Sequence, residues 1–314
     1  MKWRDEANGA SPVTRPFDAR NRIMDFVSRA STEITTHDAQ LIPDLAEVLL
    51  PGTTVYVAQT PKASLDDVVR VSIEIQSSGL SASPHIVARR LVSERVLREA
   101  LGRLRTAGIE RVLVIAGDIE TPTGPFASSL DVIESGALVD AQLRTVAFAG
   151  HPEGHRAMDA EQLTGTLRRK QEFALRTGID THLTTQFGFN AEAVCRWVRQ
   201  LCANGVHLPV HVGIAGPTSA HELLRFALKC GVGASLQAVL RNPGSIGGMA
   251  GTAATPEAMI AQLARLGVGS ELSQIVQPHF FTFGGALASA RWVRAVAEGA
   301  FELLRDGSLR LTSR

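Results

Sequence analysis

The sequence predicts an α/β protein folded as one (β/α)8 barrel, the TIM-barrel architecture. Three observations carry that expectation. Eight short β-branched or apolar runs recur along the 314 residues, and nearly all are followed by a longer segment with helical spacing. Nothing like GxGxxG follows the first run, where a doubly wound dinucleotide fold would carry it. Alternation of this kind calls for parallel pairing through right-handed crossovers. The length also suits a barrel, which takes roughly 250 residues before additions.

In chain order the runs are TEITT (32–36), TTVYVA (53–58), SASPHIV (81–87), RVLVIAG (111–117), RTVAFA (144–149), THLTTQF (181–187), PVHVGI (209–214) and IVQPHFFTF (275–283). The fourth is apolar from Val112 to Ala116 and breaks at Gly117–Asp118. A run so short and so rich in Val and Ile reads as a strand buried on both faces. Between the runs, SERVLREALGRLRTAGI places Val96, Leu97, Leu101 and Leu104 on one stripe and closes on glycine, as an amphipathic helix does. AEAVCRWVRQLCANGV and SAHELLRFALKCGV follow the same plan. The Gly, Ala and Thr-rich segment 244–258 reads as a long loop before the last barrel unit. No repeat or linker divides the chain. Residues 1–20 are expected to be a flexible extension, and 21–314 a single catalytic barrel.

A composition of 45% hydrophobic and 20% charged residues supports a large core, and a net charge of +1 gives no electrostatic reason to expect nucleic acid or an anionic membrane as partner. No 18-residue apolar run occurs, and the polar N-terminus lacks the apolar core of a signal peptide. Cys195, Cys202 and Cys230 have no CxxC or metal-ligand spacing, which suits a reducing compartment. The expectation is a cytoplasmic protein without a metal, its oligomeric state open, with a homo-oligomer compatible with the sequence.

Active sites of such barrels sit at the C-terminal ends of the strands, and polar residues gather there. Glu33 lies in the first strand, Pro84 and His85 in the third, Asp118 after the fourth, His151 and His155 after the fifth. Gln186 closes the sixth and Thr282 the eighth. Each has an ordinary alternative. Glu33 could be salt-bridged, Asp118 a helix N-cap, Gln186 a paired interior residue, and the two histidines loop cover or a weak metal pair.

Taken in order, these blocks resemble methylenetetrahydrofolate reductases from about residue 22 to about 300. STEITTHDA supplies Glu33, LVIAGD supplies Gly117 and Asp118, AFAGHPEGH with LRRK supplies His155 and Lys170, TTQFGF supplies Gln186, and HFFTFGG matches the last strand. The resemblance implies reduction of 5,10-methylenetetrahydrofolate to 5-methyltetrahydrofolate by NADH or NADPH through bound FAD. It makes Glu33 the proton donor, kept protonated by a raised pKa in an apolar barrel, with Asp118 as its catalytic companion. Asp118, Gln186 and Thr282 would bind the folate. His85, Ala116, Gly117, Asp118, Phe126, Ala127, His151, His155 and Lys170 would line the flavin, His155 and Lys170 at its diphosphate, with Gly117 admitting a flat ring.

Four positions depart from the family pattern. Ala116 stands where an Arg is usual, Phe126 for a Tyr, His151 for a Tyr, and Leu163 or Gln162 for an Asp. All lie on the flavin side. The alternatives are therefore a reductase passing hydride directly from nicotinamide to folate, a folate-binding protein without redox activity, or a folate-dependent methyl transferase. The regulatory domain of longer relatives, and its allosteric control, are not expected.

Overall fold

The computed structural model describes residues 16–155, 157–219, 222, 256–266, 272–304 and 307–312. Eight parallel strands close a barrel in sequence order: β1 Ser31–Thr35, β2 Thr54–Ala58, β3 Ser81–Val87, β4 Arg111–Ile115, β5 Thr145–Gly150, β6 Asp180–Thr185, β7 Val210–Ala215 and β8 Ile275–Phe281. Closure comes from β1 against β8, with Ser31 opposite His279 and Thr32 opposite Phe280. Every strand end lies within two residues of the run read from the sequence.

Around the barrel lie α1 Pro16–Ser28, α2 Ile42–Val48, α3 Leu65–Ser77, α4 Glu94–Thr106, α5 Ser129–Glu134, α6 Ala137–Asp140, α7 Ala160–Thr177, α8 Ala191–Ala203, α9 Glu257–Arg265 and α10 Ala286–Ala297. A hairpin of β9 Phe301–Leu303 and β10 Leu309–Leu311 follows. Helix α1 begins inside the segment read as an extension, while residues 1–15 lie outside the described residues. Its Arg20 donates to the carbonyls of Phe301 and Gly299 and stands over the Phe301 ring, tying α1 to the hairpin. The SAHELLRFALKCGV helix, apart from Ser219 and Glu222, and the 244–258 loop up to Thr255 lie outside the described residues.

Strand alternation explains the layers. Ile34, Val55, Val57, Ile86, Val112, Val114, Val146 and Phe148 point outward and join the helix faces in one continuous core. Local capping sets where the helices start: Ser64 and Asp67 exchange side-chain and backbone hydrogen bonds at α3, as do Asp159 and Gln162 at α7.

Gly117 ends the fourth strand's run with φ +99°, and a Cβ there would lie 2.5 Å from Val87 Cγ1. Its side-chain direction is thus occupied by Val87. Gly117→Ala should lower stability by about 1–3 kcal/mol, measured by urea denaturation. An unchanged midpoint would mean that the loop relaxes freely.

Candidate active site

Several inward positions of β1, β3, β6, β7 and β8 are polar where a barrel usually packs aliphatic side chains, while Leu113, Ile115 and Ala147 keep the β4–β5 side apolar. Glu33 of β1 faces two imidazoles, with its Oε2 3.3 Å from His85 Nε2 and 3.9 Å from His279 Nε2. Both nitrogens are buried and make no aligned hydrogen bond to another group. His279 Nδ1 lies 2.9 Å from Ser31 Oγ, which fixes the ring. Thr282 donates to the Glu33 carbonyl over 2.8 Å and clamps the end of β8 onto β1.

Burial pushes the Glu33 carboxyl upward, but the facing imidazoles of His279 and His85 outweigh it and hold it at about 2. This corrects the expectation of a raised pKa in an apolar barrel. The surroundings of Glu33 are not apolar, because β3 and β8 each contribute an imidazole. His85, expected at the flavin, instead faces this carboxylate. Burial lowers the pKa of His279, against the pull of Glu33.

A polar plug packs against this group from inside the barrel. Tyr56 Oη lies 2.9 Å from His182 Nε2, His182 stacks on His211 with centroids 3.8 Å apart, and the Tyr56 ring meets His279 edge-on at 4.6 Å. Burial lifts Tyr56 to about 12 and drops His182 to about 3, so both are uncharged at neutral pH. Tyr56, His182, His211 and His279 were not singled out from the sequence. Their alternate, inward-facing strand positions were the available signal.

The rim over β2, β3 and β4 is held by two arginines. Arg90, in the turn after β3, donates to the Thr60 carbonyl and to Asp118 Oδ1, each over 2.7 Å. Arg89 donates to the carbonyls of Ala127 and Ile119, and its backbone N–H donates to the Ala116 carbonyl. Ala116, Gly117, Asp118 and Ala127 therefore share one loop platform. Phe126 does not reach the mouth, because its ring is buried in the main core.

On the β5 side, His151 and His155 meet with ring centroids 4.9 Å apart. Burial, then His155 and Lys170, push His151 down to about 4. Lys170 of α7 is buried, with its Nζ 5.0 Å over the Phe148 ring, and no carboxylate pairs with it among the described residues. Burial lowers its pKa to about 8. A cavity of about 650 Å³ opens beside these histidines between α7 and α8, lined also by Leu163, Leu167, Trp197 and Asn204.

Beside it, at the ends of β6 and β8, stands an aromatic wall. Phe187 packs against Phe189, Phe281 and Phe283 with centroids 4.9–5.9 Å apart, and Phe281 sits edge-on to His279 at 4.9 Å. Gln186 precedes it. Its N–H donates to the Gly150 carbonyl over 2.9 Å, and its Oε1 accepts from Phe187 N–H over 3.2 Å, leaving the amide NH2 as donor. The wall suits a flat heteroaromatic ring. Glu33, His85, Gln186 and Thr282 thus belong to the strand ends, Asp118 and Ala127 to the exposed rim, and His151, His155 and Lys170 to the β5 side.

A closed parallel barrel with a coupled carboxylate–imidazole group among its strands has the makings of a barrel enzyme. The sequence model described as methylenetetrahydrofolate reductase matches residues 54–242. The chain belongs to the methylenetetrahydrofolate reductase family, whose members act in folate-linked one-carbon chemistry. Among solved structures it is similar to a candidate lyase/mutase from Burkholderia cenocepacia, at 16% identity over 90% of this chain and 88% of that one, TM-score 0.47. It is similar also to a dihydropteroate synthase from Thermus thermophilus, at 15% identity over 86% and 93%, TM-score 0.44. Among the described residues no helix is long and apolar enough to cross a membrane.

Proposed function

We propose that the protein reduces 5,10-methylenetetrahydrofolate to 5-methyltetrahydrofolate, with NADH or NADPH as electron donor and FAD as bound carrier. The observation that carries this reading is the Glu33 carboxylate faced by two buried imidazoles, a proton-handling group set beside an aromatic wall. A proton placed on N10 of the substrate breaks the bond from the methylene carbon to N10 and leaves an iminium at N5. Hydride then adds to that carbon to give the methyl group. Glu33 and His85 face each other over 3.3 Å and act together in delivering that proton, so it does not come from an isolated carboxyl. Gln186 offers NH2 donors to the pterin edge and Asp118 a carboxylate acceptor. Thr282 holds Glu33 in place through the backbone.

The chain's residues fit a dinucleotide on the β5 side. Lys170 is a buried cation with no carboxylate partner among the described residues, and such a group is stabilised by an anion. With His155 it would hold the diphosphate, and the flavin when bound would supply the hydride relay. A second reading, direct hydride transfer from nicotinamide, is favoured by the β4 side: position 116 offers no guanidinium, and the Phe126 ring is withdrawn into the core.

The visible spectrum of the purified protein tests both. A yellow protein bleached by NADH supports FAD. A colourless protein that still oxidises NADH in the presence of methylenetetrahydrofolate removes FAD and keeps the reductase. Folate binding without NADH oxidation would leave a non-redox folate protein.

A further inference from the structure

We infer that Arg90 is the positioning residue for Asp118, and through it selects a neutral N–H donor edge on the bound ring. The inference rests on reading the site as a folate reductase. Asp118 is an exposed loop residue, its side chain 70% accessible, whereas the Arg90 side chain is only 14% accessible. The guanidinium is therefore the fixed member of the pair. It is braced from below by the Thr60 carbonyl on the β2 loop and reaches across to Asp118 Oδ1 on the β4 loop. The β4 loop is itself stapled to the same turn. Arg89 N–H donates to Ala116 O over 2.9 Å, and the Arg89 carbonyl accepts from Thr123 N–H over 2.8 Å and from its hydroxyl over 3.1 Å. Gly124 packs so closely that a Cβ there would lie 2.4 Å from the Leu91 carbonyl oxygen.

Two consequences follow for recognition. Arg90 takes one carboxylate oxygen, and Oδ2 makes no hydrogen bond among the described residues, so a fixed acceptor remains for the ligand. The charge of that acceptor is already matched by the guanidinium. A cationic ligand group gains little from it, while the amino and ring N–H donors of a neutral pterin edge gain a charge-assisted hydrogen bond. Ala116 provides no guanidinium from the fourth strand's own end; the third strand's turn delivers one to the same carboxylate.

The test compares wild type with Arg90→Ala, Arg90→Lys, Asp118→Asn and the Arg90→Ala/Asp118→Asn double variant. The readouts are calorimetric titration with 5-methyltetrahydrofolate and steady-state kinetics. Arg90→Ala should weaken folate binding and raise the folate KM about tenfold, with kcat changed far less. Arg90→Lys, which keeps the charge but cannot bridge both partners, should recover part of the loss. The double variant should be no worse than Asp118→Asn alone, because Arg90 acts through that carboxylate. Thermal melting separates unfolding from loss of binding, and Asp118→Asn probes the same coupling with Arg90 intact. Additive losses in the double variant, or unchanged binding by a folded Arg90→Ala, would overturn the inference. Failure of the wild type to bind folate would instead overturn the proposed function on which it rests.

Discussion

Glu33→Gln should slow folate reduction by about 10²–10⁴-fold, the range for disabling a positioned proton-transfer group. The amide keeps the size of the side chain and its place between His85 and His279, but it lacks the negative charge that faces the two imidazoles. Reduction of a bound flavin by NADH, or NADH binding where no flavin is held, should survive, because neither needs a proton on N10. Stopped-flow measurement of the two half-reactions separates these steps. An equal loss in both would show that Glu33 organises the whole mouth and takes no specific part in proton delivery. The variant also reports on the coupling. The wild-type carboxyl is held at about 2 against a usual 4.5. Its stabilising contribution is therefore complete above about 4.5 and is lost as pH falls through 2. Glu33→Gln should lack that acid-range decline.

Lys170→Met should change stability and anion affinity in opposite directions. A lysine lowered from 10.5 to about 8 by burial carries an energetic penalty when charged, roughly 3 kcal/mol for a shift of that size. The unfolded chain still binds the proton between about 8 and 10.5 while the folded chain does not. Wild-type stability from this group therefore rises across that window, and below about 8 the full penalty applies. The ligand-free methionine variant should be more stable than wild type at pH 7 by about 1–3 kcal/mol, after loss of the cation–π contact to Phe148. The advantage should vanish above about pH 10.5. Affinity for ADP, as a probe of the diphosphate site, should fall at least tenfold. Chemical denaturation at pH 7 and above pH 10, with ADP titration, checks both halves. A variant less stable at pH 7 that still binds ADP normally would contradict the assignment.

The barrel was legible because its strands announce themselves locally. RVLVIAG and RTVAFA are short, β-branched and flanked by glycine, and each outward Val or Ile has only to meet a helix. The residues at the strand ends, Glu33, Asp118 and Gln186, were legible because chain position alone places them. Their environments were not. Ser31 and His279 are 248 residues apart, and closure of β1 on β8 is what puts the second imidazole, beside that of His85, against Glu33. No local pattern can show that a carboxyl will be lowered rather than raised by its neighbours. Arg90 likewise looks like any surface arginine until three loops meet around it. Phe126 reads as a ligand-facing aromatic until the loop turns its ring inward.

The closure of β1 on β8 has a consequence for biosynthesis. Glu33 leaves the ribosome long before His279, so the carboxylate–imidazole group is completed only after the other seven strands have been made. A nascent chain that holds only the first seven strands holds the carboxylate with one imidazole missing. The carboxylate gains its second imidazole only when the eighth strand docks. A chain cut short before β8 therefore lacks the complete group.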